Sequence, residues 1–137
     1  TATRRATWAY RGRFGDAYGR TYFRRFGPGV VSSVGMGTRR GDPTPAVDGR
    51  YRAALVEGFE SGANLVDTAP DYRCGRSERV VGEALRRAAV DREAVAVATE
   101  GGAVPFDGRR PDDPPAAVRR DVVGEGLSLR EAVAEIV

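Results

Sequence analysis

The stretch Asn64–Glu78, NLVDTAPDYRCGRSE, decides how the chain folds. Asn64–Val66 is a short run that predicts a strand; it ends at Asp67, and Tyr72 follows five residues later in a loop punctuated by Pro70 and Gly75. Ser77–Ala88 then predicts a helix, with Val80, Val81, Ala84 and Leu85 at helical spacing and Ser77 as its candidate N-cap. Downstream, Ala94–Thr99 is almost wholly apolar, as strands of a parallel sheet covered on both faces tend to be, and it runs into Glu100. Upstream, a helix is expected over Val47–Ser61 on the apolar positions Ala54, Leu55, Gly58 and Phe59, with Gly62 where a C-cap glycine falls. Val34–Gly37 is the strand before it.

Strand, helix, strand, helix, strand is the pattern of a parallel α/β sheet, and it leaves a barrel and an open sheet both possible. In either, chemistry gathers at the C-terminal ends of the strands, which here carry Thr38, Asp67 and Glu100. Ahead of this unit, Tyr22–Phe26 and Val30–Ser32 flank Gly27-Pro28-Gly29 and predict a hairpin. Residues 1–20 are rich in Gly, Arg and aromatics without a clear period and are expected to form a loosely structured extension. After Gly102 the segment VPFDGRRPDDPP is Pro-rich; a short helix is expected near Ala116–Val123 and another over Ser128–Ile136, with Leu129, Val133 and Ile136 on one face.

The 137 residues suit one domain. No run approaches the roughly 18 apolar residues of a membrane span, and the Arg-rich first thirty residues lack the apolar core of a signal peptide. One cysteine, Cys74, cannot form an internal disulfide, which points to a reducing cytoplasm. With no histidine and no CxxC pair, a zinc site is not expected. All 22 basic residues are arginine. Residues 1–40 hold nine of them against Asp16, a charge of +8, whereas the remainder carries thirteen against eighteen acids. This basic start is interleaved with Trp8, Tyr10, Phe14, Tyr18, Tyr22 and Phe23, a composition that can grip a nucleic-acid backbone. No recognition helix, aromatic RNA-binding strand or zinc finger accompanies it, so an arm packed on its own domain is the preferred reading.

Asp67 and Tyr72 are candidates for a proton-relay pair, a phenol giving its proton to a substrate oxygen beside a carboxylate. Spacing alone favours the plainer alternative, in which Asp67 caps the loop and Tyr72 is a surface aromatic. GMGTRR, with Gly35 and Gly37, lacks the third glycine and the following helix of a dinucleotide fingerprint. Arg73 and Arg76 can clamp an anion or lie solvated in the loop.

VSSVGMGT, NLVDTAPDYRCGRSERVVGEAL and VAVATEGG together resemble the N-terminal part of an aldo/keto reductase, over about Tyr22–Gly102. The resemblance implies part of a (β/α)8 TIM barrel, with residues 21–137 supplying the hairpin and first β/α units behind a basic N-terminal extension, residues 1–20. It implies reduction of small aldehydes or ketones with a nicotinamide cofactor, NADPH being the usual one, and contacts to that cofactor from Gly37, Thr38 and Asp67. The family's catalytic tetrad is Asp, Tyr, Lys and His. Asp67 and Tyr72 fall on the first two, Glu100 stands at the lysine position, and the histidine has no counterpart. A free phenol has a pKa of about 10; an ammonium beside it lowers that value, and a carboxylate raises it. Arg73 or Arg76 is the available substitute cation. Because such a barrel needs about 250 residues, the resemblance implies an incomplete, inactive fragment with unpaired strand edges open to self-association. The rival reading is a non-catalytic module whose Arg-rich arm engages an acidic partner or nucleic acid.

Overall fold

A computed structural model of the chain describes residues 1–15 and 17–123. Three short strands, β3 (Met36–Gly37), β4 (Leu65–Asp67) and β5 (Ala96–Ala98), form a parallel sheet in the order β3-β4-β5. Met36 pairs with Val66, and Val66 with Val97. Helix α2 (Pro45–Glu60) connects β3 to β4, and α3 (Arg76–Arg87) connects β4 to β5. The strands are shorter than the apolar runs suggest, and Val34, expected in β3, is exposed.

Helix α2 starts because the Thr44 side chain accepts from the Val47 amide and Pro45 takes the first turn, where its missing N–H costs nothing. Its inward stripe is Val47, Tyr51, Leu55 and Phe59; Ala54 faces solvent, one position out of phase with expectation. Leu55 and Phe59 meet Val66 of β4, Val80, Val81 and Ala84 of α3, and Val95 in one core. Each large apolar side chain buried in it contributes about 1.5–3 kcal/mol. Gly58 lets α2 lie against β3, since a Cβ there would overlap the Met36 side chain. Gly62 ends the turn after α2 at φ +104°, and a Cβ would stand 2.7 Å from the Tyr18 ring, so conformation and space both demand glycine.

The hairpin pairs β1 (Phe23–Phe26) with β2 (Gly29–Ser32) antiparallel, Phe26 opposite Gly29. All of β2 is buried. What covers it corrects the expectation of a loose extension: residues 4–14 form helix α1 (Arg4–Phe14), capped by Thr3, whose Oγ1 accepts from the Ala6 amide. Ala6 and Tyr10 pack with Ala94, Phe14 and Phe23, and Thr7 accepts the Val30 amide at 3.3 Å. The Tyr10 hydroxyl donates to the Phe59 carbonyl at 2.5 Å, and burial pushes this phenol above its usual range. The stripe escapes a hydropathy pattern because alanine, threonine and tyrosine line it in place of Leu or Ile.

Beyond β5 the chain is irregular until α4 (Pro114–Val118), which passes into a π-type turn at Arg119–Val123. The helix expected over Ser128–Ile136 lies outside the described residues. Among the described residues no helix is long and apolar enough to cross a membrane.

One buried side chain joins hairpin to sheet. The Asn64 amide accepts from the Ser32 N–H at 2.7 Å and donates to the carbonyls of Val30 at 3.1 Å and Ala94 at 2.9 Å. Its own N–H donates to Ser32 Oγ at 3.0 Å. Asn64→Leu strands three buried backbone groups at about 1–3 kcal/mol each. The expected loss of unfolding free energy is on the order of 3 kcal/mol, read as a fall in the denaturant midpoint, whereas the outward-facing Ala54→Ser should leave that midpoint nearly unchanged.

Candidate active site

The hydrogen-bond ladder continues beyond the strand ends. Thr38 donates to the Asp67 carbonyl with its amide at 3.1 Å and its hydroxyl at 2.9 Å, and the Thr68 amide donates to Ala98 O at 3.0 Å. Ser77, expected as an N-cap, is instead buried within the first turn of α3 and donates to the Thr38 carbonyl at 2.6 Å. The residue before the helix is Gly75, left-handed at φ +78°, with no side-chain cap. The ends of β3, β4 and α3 are thereby tied together at the edge where parallel sheets place their chemistry.

The loop after β4 carries Tyr72 through a tight turn. Arg73 (φ +52°), Cys74 (φ +57°) and Gly75 are consecutive left-handed residues, and only the glycine adopts that region without a steric penalty. The side chain of Arg73 holds the conformation. It is buried, it donates to the Asp42 carbonyl at 3.2 and 3.3 Å, it pairs with Asp48 Oδ1, and its guanidinium lies 5.0 Å from the centre of the Tyr51 ring. Arg76 donates from Nε to Asp48 Oδ2 at 2.9 Å. Both arginines therefore clamp an anion, and that anion is the protein's own carboxylate. Arg73 is buried and Arg76 half-buried, and with both committed to Asp48 neither is the substitute cation for Tyr72 that the sequence left open.

Tyr72 is buried, and its hydroxyl donates to Glu100 Oε1 at 3.0 Å. Thr99, just before Glu100, donates to Glu78 of α3 at 2.9 Å, which steadies the segment leaving β5. The hydrogen bond to Glu100 raises the Tyr72 pKa above its ordinary 10.0, burial adds to it, and the charges of Glu100 and Asp67 act in the same direction. Arg39 opposes them weakly from 5.8 Å off the ring centre. Asp67, Tyr72 and Glu100 thus gather at the C-terminal ends of adjacent parallel strands, the carboxylates of Asp67 and Glu100 both exposed.

Of the residues expected to meet a nicotinamide cofactor, Thr38 is 1% exposed, with amide and hydroxyl both engaged by Asp67 O, so its side chain serves the fold. Gly37 is exposed, with open space where a Cβ would stand. The carboxylate of Asp67 is exposed next to it, the two residues being register partners of β3 and β4. Sequence reasoning missed two residues at this edge: Arg39, whose signal was its place directly after the strand-end Thr38, and Asp48, hidden as an ordinary acid in the first turn of a helix.

The Asp48 clamp sets a pH dependence. Burial pulls this carboxyl upward, but the hydrogen bonds from Arg76 and Arg73 outweigh it and hold the pKa below the ordinary 3.8. A carboxyl depressed on folding stabilises the native state above its unfolded pKa, and that stabilisation is lost as pH falls through the folded value. Asp48→Asn should therefore lower stability by about 3 kcal/mol near neutrality, and the gap between variant and parent should narrow as pH drops below 3.8, measured by urea unfolding across pH.

The sequence profile of the aldo/keto reductase family matches residues 33–124, from the end of the hairpin through β3, β4 and β5 to just past the π-type turn. A relative, the NADH-specific methylglyoxal reductase of Escherichia coli (strain K12), is 38% identical over 80 residues, which make up 55% of this chain and 24% of the relative. The chain thus aligns with about a quarter of that enzyme's length, and the profile alone covers more than half of the chain. On that match, the chain belongs to the aldo/keto reductase family.

Proposed function

We propose that the edge formed by Asp67, Tyr72 and Glu100 is the proton-donor side of a site that reduces small aldehydes or ketones with NAD(P)H. The reading treats residues 21–137 as the hairpin and first β/α units of a (β/α)8 barrel and residues 1–20 as a basic element added ahead of it. The observation that carries it is the Tyr72 hydroxyl held at 3.0 Å from Glu100 beside the exposed carboxylate of Asp67. Aldo/keto reductases generally use NAD(P)H, and the relative from Escherichia coli is named for NADH. Either dinucleotide is a candidate, NADPH by the family's usual habit and NADH by that likeness. The cytoplasm, where Cys74 stays reduced, is the proposed compartment.

The dinucleotide, when bound, supplies a hydride. The chain's part is to give a proton to the carbonyl oxygen, and Tyr72 is the group in position to do so. Asp67 offers acceptor oxygens to ribose hydroxyls, while Gly37 keeps the backbone open beside it. Glu100 works against donation: its hydrogen bond directs the phenolic proton toward itself and makes the phenol a weaker acid. A positioned acid contributes roughly 10²–10⁴ in rate when its pKa suits the working pH. A phenol whose pKa a carboxylate raises is less suited to that role, so in this reading the arrangement works against its own acid catalysis.

Two measurements test the reading. Ultraviolet titration of phenolate, taken as the difference between the parent and Tyr72→Phe, isolates Tyr72 from the other four tyrosines. Glu100→Gln should lower its pKa and Glu100→Lys should lower it further; an unchanged value in both would show that Glu100 does not suppress the acid. In parallel, oxidation of NADH and of NADPH with methylglyoxal should stay at background for the 137-residue chain. Clear turnover abolished by Tyr72→Phe would show instead that Glu100 is a working part of the chemistry.

A further inference from the structure

Helix α1 turns Ala6, Thr7 and Tyr10 inward and leaves Arg4, Arg5 and Arg11 exposed, with Trp8 half-buried among them. The Arg11 guanidinium lies 5.0 Å from the centre of the Trp8 ring. Strand β1 adds exposed Arg24 and Arg25 from the hairpin. Between the two elements runs a cleft of about 250 Å³ lined by Arg4, Trp8, Arg25, Gly27 and Pro28. None of these five arginines forms an ion pair with a described acid, whereas Arg52, Arg73, Arg76, Arg79 and Arg120 all do. What sets the group apart is its company: Arg4, Arg5 and Arg25 line clefts with Trp8 and Arg11 lies over its ring, in a stretch where residues 1–40 hold nine arginines against one acid. It sits at the hairpin end of the molecule, joined by Asn64 to the starts of β4 and β5, opposite the end that holds Asp67 and Glu100.

We infer that the α1–hairpin face binds single-stranded nucleic acid, the arginines contacting successive phosphates and a base stacking on Trp8. Guanidiniums on two elements flanking a groove match a backbone with repeated negative charge. A half-exposed indole with a cation already against it is a stacking platform that tolerates any base. An acidic peptide answers the charge but gives Trp8 no part. An anionic membrane needs a broad apolar face, and here the half-buried Trp8 and the exposed Phe26 stand among arginines without one. The inference is independent of the reductase reading, because it uses none of the residues at the opposite edge.

Trp8 is the chain's single tryptophan, so its fluorescence reports on this face alone. The full chain is titrated with a labelled oligothymidine about ten nucleotides long, following anisotropy and Trp8 emission across a salt series. Expected are saturable binding with Trp8 quenched, and log K falling linearly with log salt by about 0.7 per phosphate contact. Trp8→Ala should weaken binding roughly tenfold, Trp8→Phe should retain most of it, and Arg4→Ala and Arg25→Ala should each flatten the salt slope, all with the far-ultraviolet circular dichroism of the parent. Absence of binding at low salt overturns the inference. So does binding to polyglutamate, or to phosphatidylglycerol vesicles, that is as tight as to the oligonucleotide and equally sensitive to Trp8→Ala.

Discussion

The buried amide of Asn64 is the constraint on which the rest of the molecule depends. A three-stranded sheet of two- and three-residue strands has little ladder of its own, and a lone two-stranded hairpin is marginal in water. Asn64 joins the two by satisfying backbone groups of Val30, Ser32 and Ala94 at once. A leucine of similar size fills the space but leaves those groups desolvated and unpaired, so the requirement is for an amide and not for volume. With the hairpin fixed, α1 gains a surface to cover, and Tyr10 reaches across it to the Phe59 carbonyl at the end of α2.

At the other end of the sheet, order comes from charge. The turn that presents Tyr72 contains two non-glycine residues in the left-handed region, a conformation that costs on the order of 1–2 kcal/mol per residue and persists only where surroundings over-determine it. The buried Arg73 side chain supplies that over-determination by reaching back to Asp42 and Asp48, and Arg76 completes the pairing. The position of the phenol therefore depends on an ion-pair group on the α2 side of the loop.

The alternation of strands and helices was legible in the sequence because Leu55, Phe59, Val66, Val80, Val81 and Val95 carry the apolar period that burial requires. The hairpin was legible through Gly27-Pro28. Helix α1 was not, since its buried face is small and aromatic residues among arginines, and tertiary contacts with Ala94 and Phe23 decide its state more than its own pattern. At the candidate site, the gathering of Asp67, Tyr72 and Glu100 follows from strand ends that lie side by side, which a strand assignment makes visible. The partnership of Asp48 with Arg73 and Arg76 spans 25 and 28 residues and has no local signature. The role of Ser77 was misplaced for a related reason: the backbone turn at Gly75 begins the helix one residue earlier, which moves the serine inside it and aims its hydroxyl at Thr38.

Arg39 shows why a positive charge near a phenol does not by itself lower its pKa below the ordinary value. A cation lowers a phenol's pKa most when it meets the oxygen, where phenolate charge concentrates; from 5.8 Å off the ring centre Arg39 lowers it, but as the smallest of the influences on the group. Glu100 acts directly on the oxygen through a hydrogen bond, and the balance of the two raises the pKa.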